Sequence, residues 1–339
     1  MKTFGLATAL TFCAGMAAAE GKLALYNWGD YINPALLQKF TAETGVEVTL
    51  DTYSSNEEML AKIQAGATGY DIVFPSVHVN DIMLKLGLLE KTNINQSPDF
   101  QNIDPTFLRA KEDPASEYCL PYAWGTVGIF YNETVTGPIA GWADFFAIPE
   151  KTGGKITLLD DMREVLAVGL IMTGKPVNTT DPADLQAATD YILAQKSNIS
   201  AFTYEVPPAL TGGDIAAGHF FVGGNVFFTE LANIKYIIPS EGATMYQENI
   251  CMLATAPNKD NAKAFMEFYL RPENAALNVA QQFNGTPNTP ANALTPDYIK
   301  SNPNINVSSE TMARLQIFED IGAALKMYDR AWNTIRTAQ

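Results

Sequence analysis

Trp28, Asp30 and Tyr31 crowd into four consecutive positions, at the end of the strand-like run LALYN and just before Asn33-Pro34 opens a helix. An indole and a phenol offer negative π-faces and the acid supplies counter-charge, so the group suits a small organic cation. The alternative is an ordinary β–α turn with a core tryptophan. Asp161 and Glu164 lie three apart at another helix start, which projects both carboxylates on one helical face. Capping and the helix dipole would explain the same two acids. Tyr246 and Glu248 are two apart in the strand-like run MYQENICML and therefore on one side of it. Ser76 and His78 follow the apolar run YDIVF; His78 also reads as a plain residue of a helix start. No GxSxG, HExxH or Cys–His nucleophile pattern is present, which leaves a secreted hydrolase using Asp161 and Glu164 as acid and base with little support. His78 and His219 are far apart and lack companions at metal spacing, so neither a metal nor another cofactor is expected.

These residues fall where strand-like and helix-like segments alternate. Leu23–Asn27 reads as a strand, residues 34–44 as an amphipathic helix ended by Gly45, and residues 46–52 as a second strand. Ser55 and Glu58 form a capping box, and residues 70–74 form a nearly all-apolar third strand. A β-α-β-α-β run predicts a mostly parallel α/β sheet covered on both faces, with ligands beyond the carboxyl ends of its strands. Trp28–Tyr31 and Ser76–His78 should therefore face one cleft. Residues 118–132 read as a long strand passing between two lobes, and residues 245–253 as a second crossing strand. Residues 155–159 read as a strand before the helix of residues 165–173. Residues 217–222 and 226–228 read as a strand pair joined by Gly223-Gly224, residues 262–270 as a helix, and residues 310–336 as one long helix with Leu315, Phe318, Ile321 and Leu325 facing the core.

Composition bounds the rest. Met1-Lys2, the apolar stretch 4–16 and Ala17-Ala18-Ala19 read as a signal peptide cleaved after residue 19, which sends the chain to the periplasm. Bulky Phe12 before Cys13 speaks against a lipid-attachment cysteine. Cleavage removes only Lys2 among charged residues and takes the formal net charge from −15 to −16, an acidic balance that argues against nucleic acid and favours cations. The remaining 320 residues are enough for two lobes with separate cores. Two cysteines remain, Cys119 and Cys251, at equivalent depths on the two expected crossing strands. A bridge and a pair of buried free thiols both fit.

The segments YNWGDYINP, DTYSSNEEM, YDIVFPS, LPYAWGT, DDMREV, NTTDPADL, PSEG before MYQEN, and FYLRPENA resemble, in order and interval, the periplasmic spermidine/putrescine-binding proteins of polyamine ABC importers. The resemblance covers essentially the whole chain after the signal. It implies a type II periplasmic-binding-protein fold, two α/β lobes joined by crossing hinge strands, residues 20–122 plus 252–296 forming one lobe and 123–251 plus 297–339 the other. It also implies a monomer that closes on a polyamine and docks on a membrane permease. The family's aromatic wall and amine-binding acid fall on Trp28, Asp30 and Tyr31, its serine on Ser76, its paired acids on Asp161 and Glu164, and its return-strand aromatic and acid on Tyr246 and Glu248. Departures are His78 for a tyrosine, Val222 for a tryptophan, Pro287 at or beside a tyrosine position, Phe318 for a glutamine, and Tyr246 and Glu248 themselves where spermidine binders usually carry Trp and Asp. The same fold for another organic cation, an amino acid derivative or a metal chelate is the alternative.

Overall fold

The computed structural model describes residues 21–338; the expected signal peptide lies outside them. The chain opens with β1 (Gly21–Trp28), α1 (Pro34–Thr44), β2 (Val46–Tyr53), α2 (Asn56–Gln64), β3 (Ile72–Val73) and α3 (Val77–Lys85). Local chemistry sets these bounds. Asn33 caps α1 by accepting from Ala35 N, Pro34 supplies the first helical position, and Gly45 ends the helix in the left-handed region at φ 74°. Ser55 Oγ caps α2 by accepting from Glu58 N, while Glu58 reaches back to Ser54 rather than to Ser55.

The long strand β4 (Cys119–Asn132) leads to α4 (Glu133–Thr136), α5 (Trp142–Thr152), β5 (Ile156–Leu158), α6 (Met162–Met172), α7 (Pro182–Ala194), β6 (Ile199–Phe202), α8 (Val206–Gly212), β7 (Ala217–Phe221) and β8 (Ile234–Ile237). The strand β9 (Ala243–Met252) then returns, followed by α9 (Lys259–Tyr269), α10 (Pro272–Gln282), α11 (Thr289–Leu294), α12 (Asp297–Lys300), α13 (Ser309–Met312), β10 (Leu315–Ile317) and α14 (Leu325–Thr337). One sheet path runs β2-β1-β3-β9-β4-β7-β5-β6, with β10 on β9 and β8 on β4. The β1–β2, β1–β3, β5–β6 and β5–β7 pairs are parallel, while β4 and β9 run antiparallel to each other.

Two large apolar cores form. One gathers Leu23, Phe40, Ile72, Tyr122, Phe265 and Tyr269, and the other Ile129, Trp142, Phe145, Leu166, Val168 and Ile192. Both draw on β4, which has an extra residue against β9 between Pro121 and Ala123.

Three sequence expectations fail. Only Ile72 and Val73 of residues 70–74 are strand. The expected strand pair around Gly223-Gly224 is absent: β7 stops at Phe221, and Val222–Phe227 is a 3₁₀ helix, with both β7 and β8 paired to β4 instead. The expected single helix 310–336 is broken, because residues 315–317 add an edge strand to β9 at Ala243–Met245 and Gly322 turns the chain at φ 53°. Leu315 is consequently a strand residue, and Leu325 is exposed rather than core.

Candidate functional site

Strand alternation on β9 organises the site. Thr244, Tyr246 and Glu248 share one face, whereas Gln247 points to the opposite side, donating to the Phe107 carbonyl at 2.8 Å. Glu248 is buried. Its Oε2 accepts from the Tyr31 hydroxyl at 2.9 Å and its Oε1 from Ser76 Oγ at 3.3 Å. Ser76 stands at the N-cap of α3 without capping it, which leaves the hydroxyl for Glu248 and for Asn56 Nδ2, the latter donating at 3.0 Å. Asn284 ties the group together, donating to the Tyr31 hydroxyl at 2.8 Å and accepting from the Tyr246 hydroxyl at 2.7 Å. The Tyr31 carbonyl accepts from Gln282 and from Tyr122, so the backbone beneath the ring is pinned as well.

Further along β9, Thr244 Oγ1 donates to Glu164 Oε2 at 2.6 Å. Glu164 is buried in the first turn of α6, with His219 Nε2 3.8 Å from the same oxygen and Trp142 packed edge-on behind that imidazole. Asp161 precedes α6 as its N-cap: Oδ1 accepts from Arg163 N and Glu164 N, and Tyr204 donates to Oδ2 at 3.3 Å. The expectation of two acids on one helical face is thereby corrected in its geometry. Asp161 lies outside the helix and caps it, while Glu164 reaches to β9 instead of folding back on the cap.

The electrostatics follow from burial. Loss of water pushes Glu248 up to about 8, against the lowering pull of Tyr31 and Ser76. Burial, and next the Asp161 charge, push Glu164 up to about 8. Asp161 is raised by burial, with Glu57 of α2 adding to the shift. His78 falls to about 3, first through burial and then through the Arg163 charge, and His219 falls to about 3 through burial. Both imidazoles are neutral at physiological pH.

Trp28, Asp30 and His78 stand apart from this network. Trp28 is the last residue of β1 and half-buried; its Nε1 donates to the Phe74 carbonyl at 2.9 Å and its ring lies 4.8 Å from that of Tyr53, tilted by 56°. Asp30 is exposed in the left-handed region, at φ 53°, and accepts no hydrogen bond among the described residues. His78 sits edge-on to Phe318, 6.2 Å between centroids, and Arg163 lies over the same Phe318 ring at 4.5 Å. Asn284, Thr244, Tyr204 and His219 belong to the network and were missed as site residues. Nothing in their local sequence marks them, because distant strands and loops bring them in. The sulfurs of Cys119 and Cys251, directly opposed on β4 and β9, are at bonding distance with Cα atoms 4.5 Å apart.

The model of the bacterial extracellular solute-binding protein family matches residues 35–307. The chain belongs to this family. The spermidine/putrescine-binding periplasmic protein of Escherichia coli is 32% identical to this solute-binding protein over 340 residues, covering 98% of this chain and 97% of the relative. A putrescine-binding periplasmic protein of Pseudomonas aeruginosa, SpuD, is 33% identical over the whole of both chains. Among solved structures, the spermidine/putrescine transporter substrate-binding protein PotD of Streptococcus pneumoniae superposes with a TM-score of 0.85 at 34% identity, over 94% of this chain and 99% of that one. At that similarity the fold of this solute-binding protein is the periplasmic-binding-protein α/β fold with crossing strands β4 and β9.

Proposed function

We propose that the protein captures a polyamine between two lobes, residues 20–122 plus 252–296 and 123–251 plus 297–339, and delivers it in the periplasm to the permease of an ABC importer without chemical turnover. One observation carries the reading: Glu164 and Glu248 are both buried, lie toward one face of β9, and neither has a Lys or Arg partner among the described residues. A buried carboxylate without a cation is costly, and a ligand with an ammonium at each end removes that cost twice. Tyr246 and Tyr31 supply ring faces for the methylenes between the amines, Ser76 orients Glu248, Asp161 assists Glu164, and Trp28, Asp30 and His78 line the approach. The relatives named above bind spermidine and putrescine, in agreement with this chemistry.

An amino acid derivative would need a free cation for its carboxylate. Arg163, next to Glu164 in sequence, is turned to other partners, with Nη2 donating to Asn178 at 2.8 Å and the guanidinium packed on Phe318 and Tyr328, while its buried Nε has no hydrogen-bond partner among the described residues and is the group such a ligand would have to use. Titration calorimetry of the purified protein should give one-to-one binding of putrescine or spermidine and none of γ-aminobutyrate or arginine. Replacing both Glu164 and Glu248 by Gln should weaken binding by about 2–5 kcal/mol, the loss typical of a hydrogen-bonded buried charge pair. Unchanged affinity in that double variant, or tighter binding of an amino acid, would overturn the assignment.

A further inference from the structure

Beside the Glu164 carboxylate lies a buried imidazole that makes no hydrogen bond among the described residues. We infer, resting on the polyamine reading above, that His219 is a positioning residue of the amine site, a neutral imidazole whose Nε2–H donates to Glu164 Oε2 once the ligand holds that carboxylate ionised.

The fold leaves His219 little else to serve. It lies on β7, 1% exposed, with Nε2 3.8 Å from Glu164 Oε2. Its Nδ1 has no hydrogen-bond partner among the described residues. Trp142, edge-on with its ring centroid 5.1 Å away, cannot supply one, because an indole has no acceptor and its Nε1 already donates to the Gly242 carbonyl at 3.0 Å. Ile129, the partner of His219 across the ladder on β4, is apolar.

Burial keeps the ring neutral, at about 3, so it has one N–H to place. On Nδ1 that N–H would be buried without a protein acceptor, and the Nε2 lone pair would be turned on a carboxylate oxygen. On Nε2 it faces the oxygen. A buried N–H without an acceptor is the rarer and costlier fault, which selects the Nε2–H tautomer. At 3.8 Å the two groups are short of a hydrogen bond, and ionisation of Glu164 supplies the attraction that closes the gap.

The two oxygens of Glu164 then have separate duties. Oε2 is held by Thr244 Oγ1 at 2.6 Å and faced by His219, whereas Oε1 accepts no hydrogen bond among the described residues and is left for an ammonium. The other titratable groups around this carboxylate cannot take the place of the imidazole. Asp161 is an acid that caps α6, Arg163 is turned to Asn178 and Phe318, Tyr204 donates to Asp161, and Tyr236 donates to the Thr126 carbonyl. Loss of the His219 N–H should therefore make Glu164 harder to ionise and the ammonium harder to hold.

The test joins a spectrum to a titration. In protein labelled with 15N-histidine, two-bond proton–nitrogen correlations should show His219 protonated on Nε2, with that signal moved by saturating putrescine; His78→Gln assigns the two histidines. Calorimetry of putrescine across neutral pH then compares the wild type with His219→Met, which fills similar space without a donor, and with His219→Gln, which keeps an N–H. His219→Met should bind about tenfold more weakly at pH 7, and the midpoint of its pH-dependent affinity should rise by about one unit. His219→Gln should stay close to the wild type in both. A merely structural histidine would lower the melting temperature of both variants and leave the midpoint in place. An unmoved midpoint in His219→Met, equal shifts in both variants, or a proton on Nδ1 in the liganded protein overturns the inference and leaves the polyamine reading intact. If His219→Met does not fold, the tautomer of the liganded wild type decides alone. A wild type that binds neither putrescine nor spermidine overturns both.

Discussion

Glu164 and Glu248 each sit at about 8 when no cation is beside them, against an ordinary 4.5. An acid whose folded-state pKa is raised holds its proton more tightly folded than unfolded. These two residues therefore favour the fold fully below about pH 4.5, and that contribution is lost as the pH rises through 8. A cationic ligand reverses the preference, because it needs the carboxylates and lowers their pKa. Binding at pH 7 should accordingly release protons, and affinity should rise between pH 6 and 8, by up to about tenfold per unit for each proton released. Calorimetry in buffers of different ionisation enthalpy measures this directly: a binding heat independent of buffer would contradict it, and Glu248→Gln should cut the proton count. Tyr31→Phe deletes one of the two donors to Glu248 and should weaken binding by about 1–2 kcal/mol. Its midpoint for pH-dependent binding should lie higher than in the wild type, which a purely structural role of the hydroxyl would not produce. The sequence singles out these acids by their places at a helix start and on a crossing strand, although capping alone would account for the helix-start pair. Asn284, which joins Tyr31 to Tyr246, carries no local mark: one of three amides in QFNGTPN, it becomes informative only when the fold sets it between two phenols.

Elements with strong local punctuation were also legible. Asn33-Pro34 and Gly45 bound α1, and Ser55 starts α2, each through hydrogen bonds or backbone angles that those residue types favour. Where pairing across the molecule decides, local pattern misleads. The spacing of Leu315, Phe318 and Ile321 fits a helix, yet residues 315–317 gain a ladder with β9 by extending, and periodicity yields to it. The glycines of residues 223–224 suggest a turn between paired strands 217–222 and 226–228, but β7 already lies between β4 and β5 and has no free edge for such a partner. Gly125 is the element-level position most exposed to test. Its neighbour across the ladder is Tyr246, and a methyl group there must displace that ring or push Val222 aside. Gly125→Ala should reduce ligand affinity by about tenfold or more through the displaced phenol. Its thermal midpoint should fall by only a few degrees, the scale of about 1 kcal/mol in a chain of this size. Thermal shift and calorimetry on the same sample separate the two effects; a wild-type affinity would show that Tyr246 does not touch the ligand.

At the scale of the whole molecule, the proposed capture between two lobes requires that any opening be absorbed by a small number of connections. With the proposed bounds the chain crosses at β4, at β9 and between α11 and α12, and the stretch Phe318–Asp320 adds side-chain contacts to the first lobe, where Phe318 meets His78, Glu319 pairs with Lys111 at 2.6 Å, and Asp320 pairs with Lys85 at 3.0 Å. These pairs are solvated and worth little singly. Cys119 and Cys251 face each other where β4 and β9 enter the first core, both buried, with the Asn80 side-chain carboxamide 2.8 Å and 3.4 Å from the two sulfurs. We propose a disulfide there, which the periplasm proposed above would permit. It would close a loop between residues 132 apart in sequence, so the loop-entropy account assigns it about 4–5 kcal/mol, reduced to the extent that the unfolded chain keeps structure. Because both cysteines belong to the first core, on the far side of the strand bulge from Tyr246 and Thr244, the bond should stabilise that lobe without holding the second against it. Reduction should thus lower the melting temperature while leaving polyamine affinity within about twofold, since the bond removes no ligand contact. Alkylation of the denatured, unreduced protein followed by peptide mass spectrometry decides the covalent state. A Cys119–Cys251 cross-linked peptide establishes the bridge, and label on both residues rules it out. A bridged protein that loses its ligand on reduction would show that the bond also sets the geometry of the cleft, through the few residues of β9 that separate Cys251 from Glu248.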